Sequence, residues 1–153
     1  MRVILVLVWA LLVCQVGTLQ AQHWSTFQNG GAVNQPGKLA TKWSPESGIA
    51  WQKKLAGYGQ SSPVVFKNTI FVTSVTGPNK EKINVEALSV TDGSRKWIYS
   101  HANSTPQENT VMISRAAPTP ACDEFGVVAM FGGGNLIALD HDCLLYTSDA
   151  ADE

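Results

Sequence analysis

Residues 62–74 read SPVVFKNTIFVTS, and residues 119–131 read TPACDEFGVVAMF. Laid on each other with Pro63 on Pro120, the two stretches align without a gap. Val64 falls on Ala121, Val65 on Cys122, Ile70 on Val127 and Phe71 on Val128. Further on, Ala87-Leu88 matches Ala138-Leu139, at a shorter offset because the first copy has a longer hairpin around Gly77-Pro78-Asn79-Lys80-Glu81-Lys82. Trp51 recurs as Trp97. Self-similarity at a near-constant spacing is the mark of stacked supersecondary units, so the repeat decides the fold before any motif is considered.

Each unit reads as β-structure. SPVVF (62–66), TIFVTS (69–74), INVEALS (83–89) and RKWIYS (95–100) are rich in Val, Ile, Thr and aromatic residues. Turn chemistry bounds them at Lys67-Asn68, Gly77-Pro78-Asn79 and Asp92-Gly93. Such runs predict short strands joined by hairpins, and no stretch has a helical period long enough for a crossover. Trp51 and Trp97 lie 97 − 51 = 46 residues apart, close to the roughly 40–50 residues of a four-stranded β-propeller blade. We therefore expect an all-β chain of four-stranded antiparallel blades, about two of them, from a seven- or eight-bladed ring. One such sheet cannot bury both its faces, so blades must stack.

The expected organisation is a lead-in at 22–47, then a partial propeller over 48–142. Within the propeller, GIAWQKK (48–54) forms the outer strand of a closing blade, residues 62–100 form a full blade, and residues 117–142 form an incomplete one. The two ends of the chain are set aside. Residues 1–21 have a basic residue at Arg2, an apolar run from Val3 to Val13 and a polar stretch ending in Leu19-Gln20-Ala21. That is a secretory signal, with Gln22 the first mature residue. The apolar run is too short for a bilayer core, which needs about 20 residues. The alternatives are an uncleaved N-terminal anchor, or a lipid anchor at Cys14, where Val13 is a poor preceding residue. Residues 143–153, CLLYTSDAADE, resemble the in-frame translation of a transposase-type sequencing adapter. On that reading the chain is an N-terminal fragment, and the second blade lacks its outer strand after Asp142.

Composition excludes several classes of partner. The chain carries 11 Lys and Arg against 12 Asp and Glu, and no basic stripe of the kind nucleic acid or an acidic membrane surface requires. Of three Cys, only Cys122 lies between the two set-aside ends, so no internal disulfide and no cysteine-rich metal site is expected there. Cys122 reads as a small buried strand residue.

ALSVTDGSRKW (87–97) resembles the tryptophan docking motif of quinoprotein propellers, Ala-x-Asp-x-x-Thr-Gly-x-x-x-Trp, with Ala87, Gly93 and Trp97 matching. Ser89 stands where Asp is usual and Asp92 where Thr is usual. The segment GGGNLIALDHD (132–142) repeats the motif's start at Ala138 and Asp140. HWSTFQNGG (23–31) and the run from Ser47 to Val65 look like the N-terminal part of exported bacterial PQQ-like propellers. The resemblance implies that Trp97 packs between adjacent blades, while the Asp-Gly turn reverses the chain. A Trp that recurs once per blade cannot serve a single central cofactor each time.

Other candidates for chemistry read as structure. Gly132-Gly133-Gly134 precedes a strand-like NLIALD, so it predicts a hairpin turn and no phosphate cradle. Asp140-His141-Asp142 cannot converge as ligands along a strand, because neighbours point to opposite faces. His23 and His101 are isolated, and Asn103-Ser104-Thr105 satisfies a glycosylation sequon. No catalytic, cofactor-binding or metal-binding residue is assigned, and no cofactor. The expected function is an exported, periplasmic or secreted, noncatalytic scaffold or interaction module, binding a protein or cell-envelope polymer through its loops. The alternative that the resemblance implies is a quinoprotein dehydrogenase using PQQ and Ca²⁺ on an alcohol or sugar. Family members of that kind commonly carry an adjacent Cys-Cys pair, and this sequence has none.

Overall fold

The structure, a computed structural model, describes residues 23–31, 41–106 and 113–150. The secretory signal expected at residues 1–21 lies outside the described residues. Eight strands follow in order: β1 (Val64–Phe66), β2 (Thr69–Thr76), β3 (Lys82–Ser89), β4 (Arg95–Ala102), β5 (Ala121–Cys122), β6 (Gly126–Met130), β7 (Asn135–Asp140) and β8 (Leu145–Ala150). They make two four-stranded antiparallel meanders, β1-β2-β3-β4 and β5-β6-β7-β8. The chain is all-β, and its two sheets have the four-stranded antiparallel build of β-propeller blades.

The register reproduces the sequence repeat residue by residue. Val64 pairs with Phe71 and Phe71 with Ala87 in the first sheet; Ala121 pairs with Val128 and Val128 with Ala138 in the second. Each last hairpin carries a β-bulge at the same place, at Ala87/Leu88 and at Ala138/Leu139. The bulge leaves Lys96 as the extra residue of β4, between Arg95 opposite Leu88 and Trp97 opposite Ala87.

Packing follows from strand alternation. Phe71, Val75, Ile83, Val85 and Ala87 share one face of the first sheet and are essentially fully buried. They join Val127, Ala129, Ile137 and Leu139 of the second sheet in one core cluster. The other face of the first sheet carries Val72, Asn84, Glu86 and Leu88, also buried. The segment before β1 runs against this sheet: the Ala56 N–H donates to Glu86 Oε1 at 2.8 Å, and Tyr58 bridges Val75. Gly57 and Gly59 allow that approach, because a Cβ at either would meet a β2 carbonyl oxygen within 2.3 Å.

The outward face of the second sheet corresponds, register for register, to the face that the first sheet uses for packing. Here it is open: Val128, Met130 and Leu136 are 45%, 55% and 39% exposed. Exposed contiguous apolar area promotes association. The paired change Met130→Lys and Leu136→Lys leaves the far-UV circular dichroism unchanged and reduces concentration-dependent light scattering. Unaltered scattering would show that this face does not drive self-association.

Two features of the strands differ from the expected layout. The second sheet does not stop at Asp142 with its outer strand missing. Residues 145–150 supply that strand as β8, with Leu145 opposite Leu139 and Thr147 opposite Ala138. The physical reason is the free edge of β7, whose unpaired N–H and C=O groups accept any β-compatible segment that the preceding turn delivers. Residues 48–54 form no strand. Their Trp51 instead lies on the turn after β3, its indole N–H donating to the Val90 carbonyl at 2.9 Å. A strand needs a partner edge, and this segment meets a sheet at isolated points.

Candidate functional site

The richest chemistry lies on the boundary between the two sheets, where the β3–β4 and β7–β8 turns are built alike. In the first, Ser89 N–H reaches Ser94 O, and Ser89 Oγ accepts from Thr91 N–H. In the second, Asp140 N–H reaches Leu144 O, and Asp140 Oδ1 accepts from Asp142 N–H. Ser89 and Asp140 therefore occupy one structural position. Near the end of each turn the chain enters the left-handed region, at Gly93 (φ 68°) and at Cys143 (φ 70°). Gly93 is doubly constrained, since a Cβ there would also stand 2.5 Å from the Trp51 ring. Asp92 accepts from Ser94 N–H and Oγ, and these bonds hold its carboxyl below the ordinary 3.8. A depressed carboxylate pKa means that the turn's stabilisation is present above that value and fades as pH falls below it.

The carbonyl of the residue after Ser89 or Asp140 then accepts an indole proton. Trp51 Nε1 donates to Val90 O, and Trp97 Nε1 donates to His141 O at 2.8 Å. Trp97 thus reaches from β4 of the first sheet to the turn of the second. Its ring lies 5.8 Å from that of Phe71. The position in β8 that matches Trp97 by register, opposite Ala138, is Thr147.

A polar seam closes the same boundary elsewhere. Asn135 Nδ2 donates to Asn103 Oδ1, Asn103 Nδ2 donates to Lys80 O, and Thr105 N–H donates to Asn103 Oδ1. Asn103 is only 5% exposed, so in the folded chain its carboxamide is a structural link inaccessible to a glycan. The lead-in also contributes: Trp24 exchanges two backbone hydrogen bonds with Val65, and Ser25 O accepts from Cys122 N–H. One short segment thereby bridges β1 and β5.

Between these contacts opens a groove of about 660 Å³. Phe66, Trp97 and His141 form its aromatic part; Lys67, Asn68 and Thr69 from the β1–β2 turn, with Lys96 and Asp142, form its polar part. Phe66 packs with His23 at 4.8 Å and with His141 at 5.0 Å between ring centroids. His141 Nε2 hydrogen-bonds Asp123 O at 2.9 Å. Of the two isolated histidines, His23 meets His141 around Phe66, whereas His101 sits apart, beside Tyr99. Asp140-His141-Asp142 lies in the turn, Asp140 spending its carboxylate on backbone N–H groups. Gly132-Gly133-Gly134 makes the β6–β7 hairpin, with Gly133 and Gly134 at positive φ.

Cys122 is buried, and desolvation, with the neighbouring Asp123 charge, pushes its thiol up to about 11. A thiol is nucleophilic only as thiolate, so at about pH 8 iodoacetamide should modify Cys122 no faster than the chain unfolds. Mass spectrometry of labelled protein, native and in urea, checks this. Rapid native labelling would contradict the burial.

Sequence reasoning passed over two features. Glu86 is fully buried and pairs with Arg95 at 2.9 Å, signalled only by one carboxylate inside INVEALS. The role of the His141 carbonyl had no signal at all, because any residue supplies a carbonyl. Among the described residues no group of three or more His, Cys, Asp or Glu side chains is placed to hold a cation.

The repeated blades and their shared boundary define a PQQ-like β-propeller repeat protein. A family model described as outer membrane protein assembly factor BamB matches residues 8–142, and the chain belongs to that family. No curated protein gives a significant match to this chain. Among the described residues no helix is long and apolar enough to cross a membrane.

Proposed function

We propose that this chain is a noncatalytic, exported scaffold or interaction module, whose propeller turns and loops engage a protein partner or an envelope polymer. The observation that carries the reading is the boundary itself. Its Trp, its buried Asn pair and its Asp- and Ser-capped turns are spent on holding one blade against the next, which leaves them no free valence for a substrate. Trp97 acts, on this reading, as the docking side chain between blades. The family description, an assembly factor of the outer membrane, supports both the interaction role and an envelope address. Export rests on the leader, with cleavage before Gln22.

The competing reading is a PQQ- and Ca²⁺-dependent dehydrogenase. Purified protein incubated with PQQ, Ca²⁺ and a panel of alcohols and sugars should reduce no artificial electron-acceptor dye above the protein-free rate. Substrate-dependent dye reduction would overturn the scaffold reading.

A further inference from the structure

We propose that the groove between the β1–β2 turn and the β7–β8 turn docks an extended acidic segment of a protein partner, with Lys67 and Lys96 taking its carboxylates. This deepens the scaffold reading and rests on it. Lys67 Nζ stands 5.1 Å from the Phe66 ring centroid, and Lys96 Nζ donates to Thr69 Oγ1 at 2.6 Å. Among the described residues neither ammonium has a carboxylate at ion-pair distance, and Asp142, on the same groove, pairs with neither. Lys96 is the extra residue of the β-bulge, a device that re-aims a side chain out of the strand's alternation. Two unpaired cations on one groove, over an aromatic floor, call for an anionic ligand with some apolar body.

The rings argue for a peptide over an acidic glycan. Sugars bind aromatic residues by stacking on an open ring face. Phe66 already packs with His23, His141 and the Lys67 ammonium, and the Trp97 indole N–H is used by His141 O. Around Phe66, what remains to a ligand is ring edges and the Lys67 ammonium, which suit the methylenes and carboxylates of Glu and Asp side chains.

The test uses the full chain and a fluorescein-labelled peptide of alternating Glu and Gly, followed by anisotropy at low salt. We expect saturable binding that the double change Lys67→Glu and Lys96→Glu weakens roughly tenfold or more. The same charge reversal at the exposed Lys53 and Lys54 should leave binding unaltered. Circular dichroism verifies that the variants fold, and Lys67→Gln with Lys96→Gln replaces the reversal if they do not. Equal loss at Lys53 and Lys54 would mean attraction to overall charge and would overturn the site. So would absence of binding, or oligogalacturonate displacing the peptide and binding more tightly. Dye reduction is scored separately: turnover there removes the scaffold reading, whereas failed peptide binding without turnover removes only the groove.

Discussion

Replacing Trp97 with alanine lowers the unfolding free energy by about 3–5 kcal/mol, seen as an earlier urea midpoint with little change in slope. The magnitude follows from position. Trp97 lies on β4 yet spans the boundary, packing beside Phe71 and donating to the His141 carbonyl of the second sheet. Truncation opens a void between the sheets and strips that carbonyl of its partner, so both the cavity and the orphaned acceptor contribute. Trp97→Phe separates them. It keeps most of the ring and loses only the indole N–H, for about 1 kcal/mol. Unfolding of the alanine variant at the wild-type midpoint would show that the contact does not join the sheets. The corresponding position in β8 is Thr147.

How much of this could be read beforehand depended on whether the signal was local. Strand positions came from runs rich in Val, Ile, Thr and aromatic residues and from turns such as Lys67-Asn68 and Asp92-Gly93, which act over a few residues. The equivalence of the two copies came from the repeat, and the structure pairs them alike, Phe71 opposite Ala87 and Val128 opposite Ala138. Context-dependent features were lost. GIAWQKK has strand-like composition but no edge to pair with, and β-propensity reports packing surroundings more than an intrinsic preference. Residues 145–150 were judged by where they resembled, while the free edge of β7 and the turn around Asp140 determine that a strand forms there. The groove was illegible for another reason. Phe66 and His141 lie far apart in sequence, and their meeting depends on how two whole sheets stack.

Arg95→Leu destabilises the chain by about 2–3 kcal/mol, less than the loss of a fully buried ion partner because the Arg95 side chain is partly exposed to solvent screening. Glu86 is completely buried, its Oε2 accepting from Arg95 Nε at 3.0 Å and Nη2 at 2.9 Å, and its Oε1 from Ala56 N–H. Without Arg95 a buried carboxylate keeps a single backbone donor. The second sheet shows what the site tolerates: by register Ile137 stands where Glu86 stands, and Leu145 where Arg95 stands. The double variant Glu86→Ile with Arg95→Leu copies that apolar pair. It should recover most of the loss, remaining about 1 kcal/mol below wild type because the Ala56 N–H then lacks its acceptor. Urea unfolding of the four proteins of the cycle measures both that coupling and the net loss of the double variant, and the net loss distinguishes a tolerated polar pair from a stabilising one. Additive losses would mean instead that Glu86 and Arg95 do not couple, and a double variant far below wild type would mean that the apolar counterpart in the second sheet is no substitute.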